Sequence, residues 1–293
     1  MKVVITGGMG QLGEDCRAVL EKKMQVVSLA STDLDITRVE AVHQLMTDAK
    51  PDILLNCAAF TRVDDCESQK ERAWQVNAEG PGNLAVASKA TGTKLIHISS
   101  DYVFDGKKPV PESYTEEDLT NPVSFYGKSK RAGETAVIEE SDHYIILRTA
   151  WLYGIGGGNF LKTILRLALT DSKRTLRVVN DQFGSPTWSY TLARQIEKLI
   201  DTDGRGIYHA TAEGYCTWYE LAVRFLEKMG VPHAVVPCTT VDYPTPATRP
   251  MNSILENRML NAAGLNLMNP WEADLAEFVS IFKERLIQEA SKE

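Results

Sequence analysis

The sequence predicts an α/β protein built on a doubly wound parallel sheet, with a smaller C-terminal lobe. In its first half, short apolar segments alternate with longer segments in which apolar residues recur at helical spacing. The apolar segments are rich in Val, Ile and Leu with little polar alternation, which is typical of strands buried on both faces. Because such β-α-β alternation implies right-handed crossovers between parallel strands, helices are expected on both faces of the sheet.

The individual elements follow from this alternation. Strands are predicted at residues 3–6, 26–29, 53–57, 94–98 and 144–148. Helices are predicted between them at residues 11–23, 38–49, 72–90 and 126–140.

The second half is less regular. It favours helices at residues 159–169, 189–200, 218–229 and 272–288, and strands at 176–180 and 234–236. We therefore predict a core domain over residues 1–150 and a lobe over residues 151–293 that is interleaved with the last strands of the sheet. Ligands of open α/β sheets bind beyond the carboxyl ends of the strands, so the site is expected between core and lobe.

Composition excludes several classes of function. A formal net charge of -7 argues against nucleic-acid binding, which needs clustered Lys and Arg. No apolar run approaches the roughly 20 residues of a membrane span. The five cysteines are scattered without metal-ligand spacing, so we expect no metal site and no disulfide framework. The chain begins in a strand-like segment and not in a signal peptide, and we expect a cytoplasmic protein.

A glycine-rich loop follows the first predicted strand. Gly7, Gly10 and Gly13 form G-x-x-G-x-x-G directly before a predicted helix. The missing side chains allow a tight turn and close approach of a pyrophosphate, and a helix start offers unpaired N–H groups to phosphate oxygens. Between a strand and a helix, this pattern predicts a dinucleotide site, so residues 1–150 are interpreted as an NAD(P)-binding domain.

The end of the second strand bears on the choice of nicotinamide cofactor. An acidic residue there commonly binds the ribose hydroxyls of NAD. Here the strand is followed by Ser31 and Thr32, which could donate hydrogen bonds to a 2′-phosphate, and Asp35 lies further on. Asp35 has a second interpretation as the N-terminal cap of the next helix. The pattern favours NADPH, with NADH also usable.

Tyr126 and Lys130 are the candidate catalytic pair. Four residues apart, they share one face of a helix. A phenol has a pKa of about 10, which a nearby ammonium would lower. Tyr126 could then protonate a carbonyl oxygen as hydride arrives. Ser100, at a predicted strand end, could polarise the same carbonyl, although it could also merely hydrogen-bond its own backbone.

With these motifs in place, the chain resembles the short-chain dehydrogenase/reductase superfamily, in its extended sugar-nucleotide branch. Further segments are similar to the dTDP-4-dehydrorhamnose reductase family, and they extend into the lobe. They are residues 10–13, 56–64, 99–106, 126–134, 148–154, 159–160, 178–187 and 249–253.

The resemblance implies a Rossmann-type fold and NAD(P)H-dependent reduction of the 4-keto group of a dTDP-linked 4-keto-6-deoxysugar, dTDP-4-dehydro-L-rhamnose. It implies that Ser100, Tyr126 and Lys130 are catalytic. Cofactor contacts would come from Gly7, Gly10, Gln11, Leu12, Asp35, Ile36, Ala58, Ala59, Phe60, Tyr126 and Lys130. Substrate contacts would come from Ser100, Asp101, Trp151 and Arg249.

Two of these assignments have competing interpretations. Trp151 could simply be buried in the core, since its large area alone would explain such a position. Arg249 could clamp the diphosphate of a sugar nucleotide through its fork of donors, or could lie on the surface of a Pro-rich loop.

Three further expectations remain open at the level of sequence. The resemblance implies that some family members dimerise through a magnesium ion held by glutamates on the first helix and in the lobe. This chain has Glu14 and Asp15 near the first of these positions, but residues 188–190 in the lobe contain no carboxylate. We therefore expect a monomer or a homodimer without that ion. A relative could reduce a different 4-keto sugar. A non-catalytic regulatory subunit could also share the fold, although the complete Ser100, Tyr126 and Lys130 set disfavours it.

Overall fold

A computed structural model describes residues 1–171 and 175–291, and its first half alternates strands and helices. The strands are β1 (Lys2–Thr6), β2 (Gln25–Leu29), β3 (Ile53–Asn56), β4 (Lys94–Ser100) and β5 (Tyr144–Thr149). The helices are α1 (Gln11–Leu20), α2 (Val39–Ala49), α3 (Val63–Ser68), α4 (Lys70–Trp74), α5 (Gly80–Thr91) and α6 (Phe125–Glu140). All the strands predicted here are confirmed, to within two residues at either end.

The second half supplies shorter strands and longer helices. Its strands are β6 (Leu152–Tyr153), β7 (Thr175–Val179), β8 (Phe183–Gly184), β9 (Thr187–Trp188), β10 (Gly206–His209), β11 (Cys216–Thr217), β12 (Ala234–Cys238) and β13 (Asn252–Ser253). Its helices are α7 (Phe160–Thr170), α8 (Ser189–Ile200), α9 (Trp218–Met229), α10 (Arg258–Ala262) and α11 (Trp271–Ala290).

One parallel sheet organises the molecule. Its strand order is β10-β5-β4-β3-β1-β2, and every neighbouring pair is parallel. The order reverses direction at β1, as in a doubly wound sheet, so the predicted fold class is confirmed. The edge strand β10 comes from the second half. This strand has only four residues and begins with Gly206, so its sequence shows no pattern that predicts a strand.

Apolar side chains fill the space on both faces of the sheet. Along β1, Val3 and Ile5 belong to the layer under α1 and α8, while Val4 between them belongs to the layer under α2, α5 and α6. Period-two alternation thus buries both faces, which explains why the strand sequences show little polar alternation.

The lobe has its own core, to which α7, α9 and α11 contribute Leu165, Phe225 and Phe278. Over residues 1–171 and 175–291, no helix is long and apolar enough to cross a membrane.

The helix predicted over residues 72–90 is present, but its winding is not uniform. A π-helical turn at Gln75–Glu79 separates α4 from α5. Pro81 cannot supply the N–H that a regular α-helix would donate to the carbonyl of Asn77. The resulting change of winding places the side chain of Asn77 inside the protein, where it is fully buried.

Candidate active site

A cleft of about 980 Å³ lies at the carboxyl ends of the central strands, between the sheet and the lobe. Every residue predicted for the site lines it. These residues are Gly7, Gly10, Gln11, Leu12, Asp35, Ile36, Ala58, Ala59, Phe60, Ser100, Asp101, Tyr126, Lys130, Trp151 and Arg249. The fold therefore brings residues from segments spread over most of the chain together in one cleft.

The glycine loop forms a close-packed turn between β1 and α1. Gly7 has a φ of 67°, and a Cβ there would lie 2.6 Å from the backbone nitrogen of Ala58. A Cβ on Gly13 would lie 2.7 Å from the Cα of Gly8. Among the described residues no side chain caps the start of α1, so its first N–H groups remain available. This cradle fits a pyrophosphate, which needs backbone N–H donors and no intervening Cβ.

Asp35 and Ile36 lie further along the cleft. The Oδ1 atom of Asp35 accepts hydrogen bonds from the Thr37 hydroxyl (2.8 Å) and the Thr37 N–H (3.0 Å), which lower the pKa of the carboxyl. The residue before α2 is Arg38, so the interpretation of Asp35 as the cap of that helix was wrong. Arg72 of α4, which we did not predict, places Nη1 4.0 Å from the other carboxylate oxygen.

Helix α6, which carries the predicted catalytic pair, begins at the cleft and is fixed at its first turn. Ser124 caps it by accepting a hydrogen bond from the N–H of Gly127, and Glu67 accepts one from the N–H of Phe125 at 2.8 Å. Tyr126 and Lys130 then lie on the same buried face. The ammonium of Lys130 donates to the carbonyl oxygen of Ile98 on β4 at 2.7 Å, which ties the helix to the strand that ends at Ser100.

The charges around this pair differ from the sequence-based expectation. Burial, with the charge of Asp101 adding to it, raises the pKa of Tyr126, while a hydrogen bond with Ser100 acts in the opposite direction. Burial also lowers the pKa of Lys130 to about 8. Desolvation outweighs any effect of the Lys130 ammonium on the phenol. The predicted lowering of the Tyr126 pKa by this ammonium is therefore wrong.

Ser100 has two partners at the strand end. Its hydroxyl donates to Oδ1 of Asp101 at 2.7 Å and accepts from the N–H of Tyr102 at 3.2 Å. Ser100 therefore hydrogen-bonds the backbone at the strand end, and its hydroxyl also faces Tyr126. Its role in polarising a carbonyl stays a prediction. Burial raises the pKa of Asp101 to about 6.

Asn77 is a residue that sequence reasoning missed. Its amide exchanges hydrogen bonds with the backbone of Phe60, at 2.8 Å to the N–H and 3.0 Å to the carbonyl. It also donates to the hydroxyl of Ser129, which in turn donates to the carbonyl of Tyr126. Asn77, which lies on the π-helical turn, thus joins the loop after β3 to α6.

Trp151 lies in an aromatic wall of the cleft. Its φ of 45° is in the left-handed region, and its ring stacks on Trp218 with centroids 3.6 Å apart. The ring of Phe160 packs against that of Trp218, with centroids 4.6 Å apart. Gly184 makes room for the indole, since a Cβ there would lie 2.6 Å from the Trp151 ring nitrogen. Trp151 is therefore packed and also faces the cleft. Trp218, at the start of α9, carried no signal in the sequence.

Arg249, which lines the cleft, is paired with Asp64 of α3. Its Nη2 and Nη1 atoms donate to the two carboxylate oxygens at 2.8 and 3.0 Å. The guanidinium holds the pKa of the Asp64 carboxyl below its usual range. Asp64 was not among the predicted site residues, because nothing in its local sequence points to a partner 185 positions away.

The region near Glu14 also contains an unpredicted contact. The hydroxyl of Ser189, at the start of α8, donates a short hydrogen bond to Asp15, and burial raises the pKa of that carboxyl. No group of three metal-ligating side chains occurs within the described ranges 1–171 and 175–291. The absence of a magnesium-bridged dimer stays a prediction.

A doubly wound sheet with a glycine cradle and a Tyr-x-x-x-Lys helix on one cleft defines the class of short-chain dehydrogenases/reductases. The model of the RmlD substrate binding domain matches residues 1–284. A dTDP-4-dehydrorhamnose reductase from Burkholderia thailandensis is 40% identical, over 89% of this chain and 92% of that protein. The chain therefore belongs to the RmlD family, which contains the dTDP-4-dehydrorhamnose reductases.

Solved structures are similar over the same length. A dTDP-4-dehydrorhamnose reductase from Clostridium acetobutylicum has a TM-score of 0.93 and 43% identity, covering 97% of this chain and all of that one. A Bacillus anthracis dTDP-4-dehydrorhamnose reductase, solved in complex with NADP, has a TM-score of 0.92 and 39% identity, covering 95% and 98% of the two chains.

Proposed function

We propose that this chain is an NADPH-dependent reductase that converts the 4-keto group of dTDP-4-dehydro-L-rhamnose to the alcohol of dTDP-L-rhamnose. One observation carries the proposal. Ser100, Tyr126 and Lys130 line the same cleft as the glycine cradle, in a chain that is similar to dTDP-4-dehydrorhamnose reductases over nearly its whole length. A complete catalytic set of this kind favours an enzyme over a regulatory subunit of the same fold.

NADPH supplies the hydride when it is bound, and we expect NADH to be accepted as well. In this chain Gly7, Gly10 and the first turn of α1 would hold the pyrophosphate. Asp35 and Ile36 would border the adenosine. The loop after β3, with Ala58, Ala59 and Phe60, would lie along the cofactor.

The protein side chains would manage the proton. Tyr126 is protonated at neutral pH because burial raises its pKa, so it can donate to the substrate oxygen as negative charge develops there. Ser100 would donate a second hydrogen bond to that oxygen by turning its hydroxyl from Asp101. Lys130, anchored on the carbonyl of Ile98, would stabilise the phenolate that remains.

The sugar nucleotide would occupy the part of the cleft lined by Asp101 and the Trp151 wall. We expect a cytoplasmic enzyme, as a monomer or as a homodimer without a bridging metal. The alternative is a reductase that acts on a different dTDP-linked 4-keto-6-deoxysugar or delivers hydride to the opposite face of the sugar. Facial selectivity depends on placement of the sugar within about an ångström.

The test is oxidation of NADPH and of NADH, followed by absorbance with enzymatically made dTDP-4-dehydro-L-rhamnose. We expect substrate-dependent oxidation by the wild type and its near-complete loss in Tyr126→Phe, with dTDP-L-rhamnose identified by NMR. Folded protein that binds NADPH but oxidises neither cofactor would contradict the proposal. A product epimeric at C4 would instead identify the alternative reductase.

A further inference from the structure

Residues 239–250, which we term the strap, cross from the lobe to the loop that follows β4. At the lobe end, Thr240 donates from its N–H and its hydroxyl to Asp181, at 2.9 and 2.7 Å. At the other end, Asn252 donates its N–H to the carbonyl of Gly106 at 3.2 Å. Gly106 lies so close to Pro250 that a Cβ on it would be 2.6 Å from the proline Cα. Both ends of the strap are therefore fixed.

The middle of the strap is held by a single carboxylate. Asp64 accepts from both terminal nitrogens of Arg249 and from the N–H of Ala247 at 3.1 Å. Within the described part of the chain, Asp64 accepts the hydrogen bonds that join residues 243–249 to the core. The strap also carries Pro244 and Pro246, which cannot donate, so this carboxylate is the main polar attachment of its middle part.

Both terminal nitrogens of Arg249 donate hydrogen bonds to protein atoms. Besides Asp64, Nη1 donates to the hydroxyl of Thr245 and to the carbonyl of Ala247, both within the strap. A bidentate pair of this kind is electrically neutral and geometrically fixed. A diphosphate would have to displace Asp64 before it could take the same donors, and would leave that partly buried carboxylate unpaired.

The pair also lies beside the reacting residues. Arg249 lines the cleft, and its charge acts on the hydroxyl of Tyr102. The ring of Tyr102 packs edge-on against that of Tyr126 with centroids 5.3 Å apart. Arg249 therefore lies near the wall of the cleft that Tyr102 and Tyr126 form.

We propose that Asp64 and Arg249 form a latch that positions the strap over the sugar-nucleotide part of the cleft, and that Arg249 acts on the substrate through the strap and not as a ligand of the diphosphate. Both are positioning residues. The substrate named in this proposal rests on the proposed function, whereas the latch itself does not.

The latch is tested with Asp64→Asn, Arg249→Gln and the double variant. Glu117→Gln is the matched control, since it breaks an exposed pair with Arg258. Hydrogen exchange of the amides at residues 245–249, read by mass spectrometry, reports the strap without any substrate. We expect both single variants to raise this exchange at least about fivefold, because each removes charged hydrogen bonds. The control should leave it unchanged.

Binding and kinetics then separate a latch from a ligand. We expect both single variants to raise KM for the dTDP-keto sugar and the dissociation constant of dTDP by a similar factor, about tenfold. The double variant should add nothing further, because both changes break one contact. The dissociation constant of NADPH and kcat should change less than about twofold, since the cofactor cradle is elsewhere.

Two outcomes would overturn the latch. One is unaltered exchange of the strap in Asp64→Asn. The other is weak dTDP binding in Arg249→Gln alone, which would make Arg249 the diphosphate ligand. If the wild type reduces no keto sugar, hydrogen exchange and dTDP binding still decide the question, so failure of the function and failure of the latch are distinguishable.

Discussion

The buried ion pair between Glu134 and Arg148 anchors α6 to the sheet, and we expect its removal to destabilise the protein. Glu134 lies one turn beyond Lys130 on α6, and Arg148 lies on β5. The guanidinium donates through Nε and Nη2 to the two carboxylate oxygens, both at 2.8 Å. The side chains are 0% and 2% exposed, so neither charge is solvated by water. The guanidinium carbon of Arg148 also lies over the ring of Phe104, 5.1 Å from the ring centroid.

We expect Glu134→Gln to destabilise the protein severely. The amide retains the shape of the carboxylate but leaves the charge of Arg148 uncompensated in a dry interior. Removing one partner of a buried pair costs about 3–5 kcal/mol, and the conservative amide places the expected loss near the lower end. At roughly 2–4 °C per kcal/mol for a chain of this size, the midpoint of thermal unfolding should fall by about 6–12 °C.

Circular dichroism during heating and urea titration measure this change, with Glu117→Gln as the control. Glu117 pairs with Arg258 at the surface, where the two side chains are 70% and 52% exposed. Its loss should cost less than about 1 kcal/mol. A Glu134→Gln midpoint within about 2 °C of the wild type would refute the reasoning, because it would mean that water or another anion reaches Arg148.

Three more predictions concern the site. Tyr126→Phe should lower kcat by about 10²–10⁴ in steady-state assays, with NADPH affinity retained, because only the proton donor is removed. Activity that needs the Lys130 ammonium should be present below its pKa of about 8 and decline as the pH rises through that value. In Glu134→Gln this alkaline limb should move to lower pH, since the carboxylate raises the pKa of Lys130, and an unmoved limb would argue against the assignment. Gly7→Ala should weaken NADPH binding at least about tenfold, as measured by titration. The φ of 67° at Gly7 and the nearby backbone of Ala58 both disfavour a Cβ at this position. Unchanged binding would mean that the loop is not the phosphate cradle.

Local sequence patterns were sufficient where a function depends on neighbours in the chain. The spacing of Gly7, Gly10 and Gly13 specifies a turn between a strand and a helix, and the structure has that turn. The spacing of Tyr126 and Lys130 specifies one face of a helix, and both residues lie on the buried face of α6. Such patterns need only the geometry of one element, which the sequence encodes directly.

The pKa of Tyr126 shows the limit of this reasoning. Sequence places an ammonium four residues away, but it does not give the depth of burial or the position of Asp101. In the folded chain desolvation dominates, and the Lys130 ammonium donates to the carbonyl of Ile98. The direction of an electrostatic effect therefore depended on the environment that the whole domain creates.

The sequence by itself determined the parallel sheet, the glycine loop and the catalytic pair, because hydrophobic periodicity and short spacings are properties of single elements. Only the tertiary structure decided that Asn77 joins the Phe60 loop to α6, that Trp218 stacks on Trp151, and that Asp64 binds Arg249. These contacts join residues far apart in sequence, and each arises where two independently formed elements meet. These contacts result from the packing of elements against one another, which the conformational propensity of a local segment does not predict.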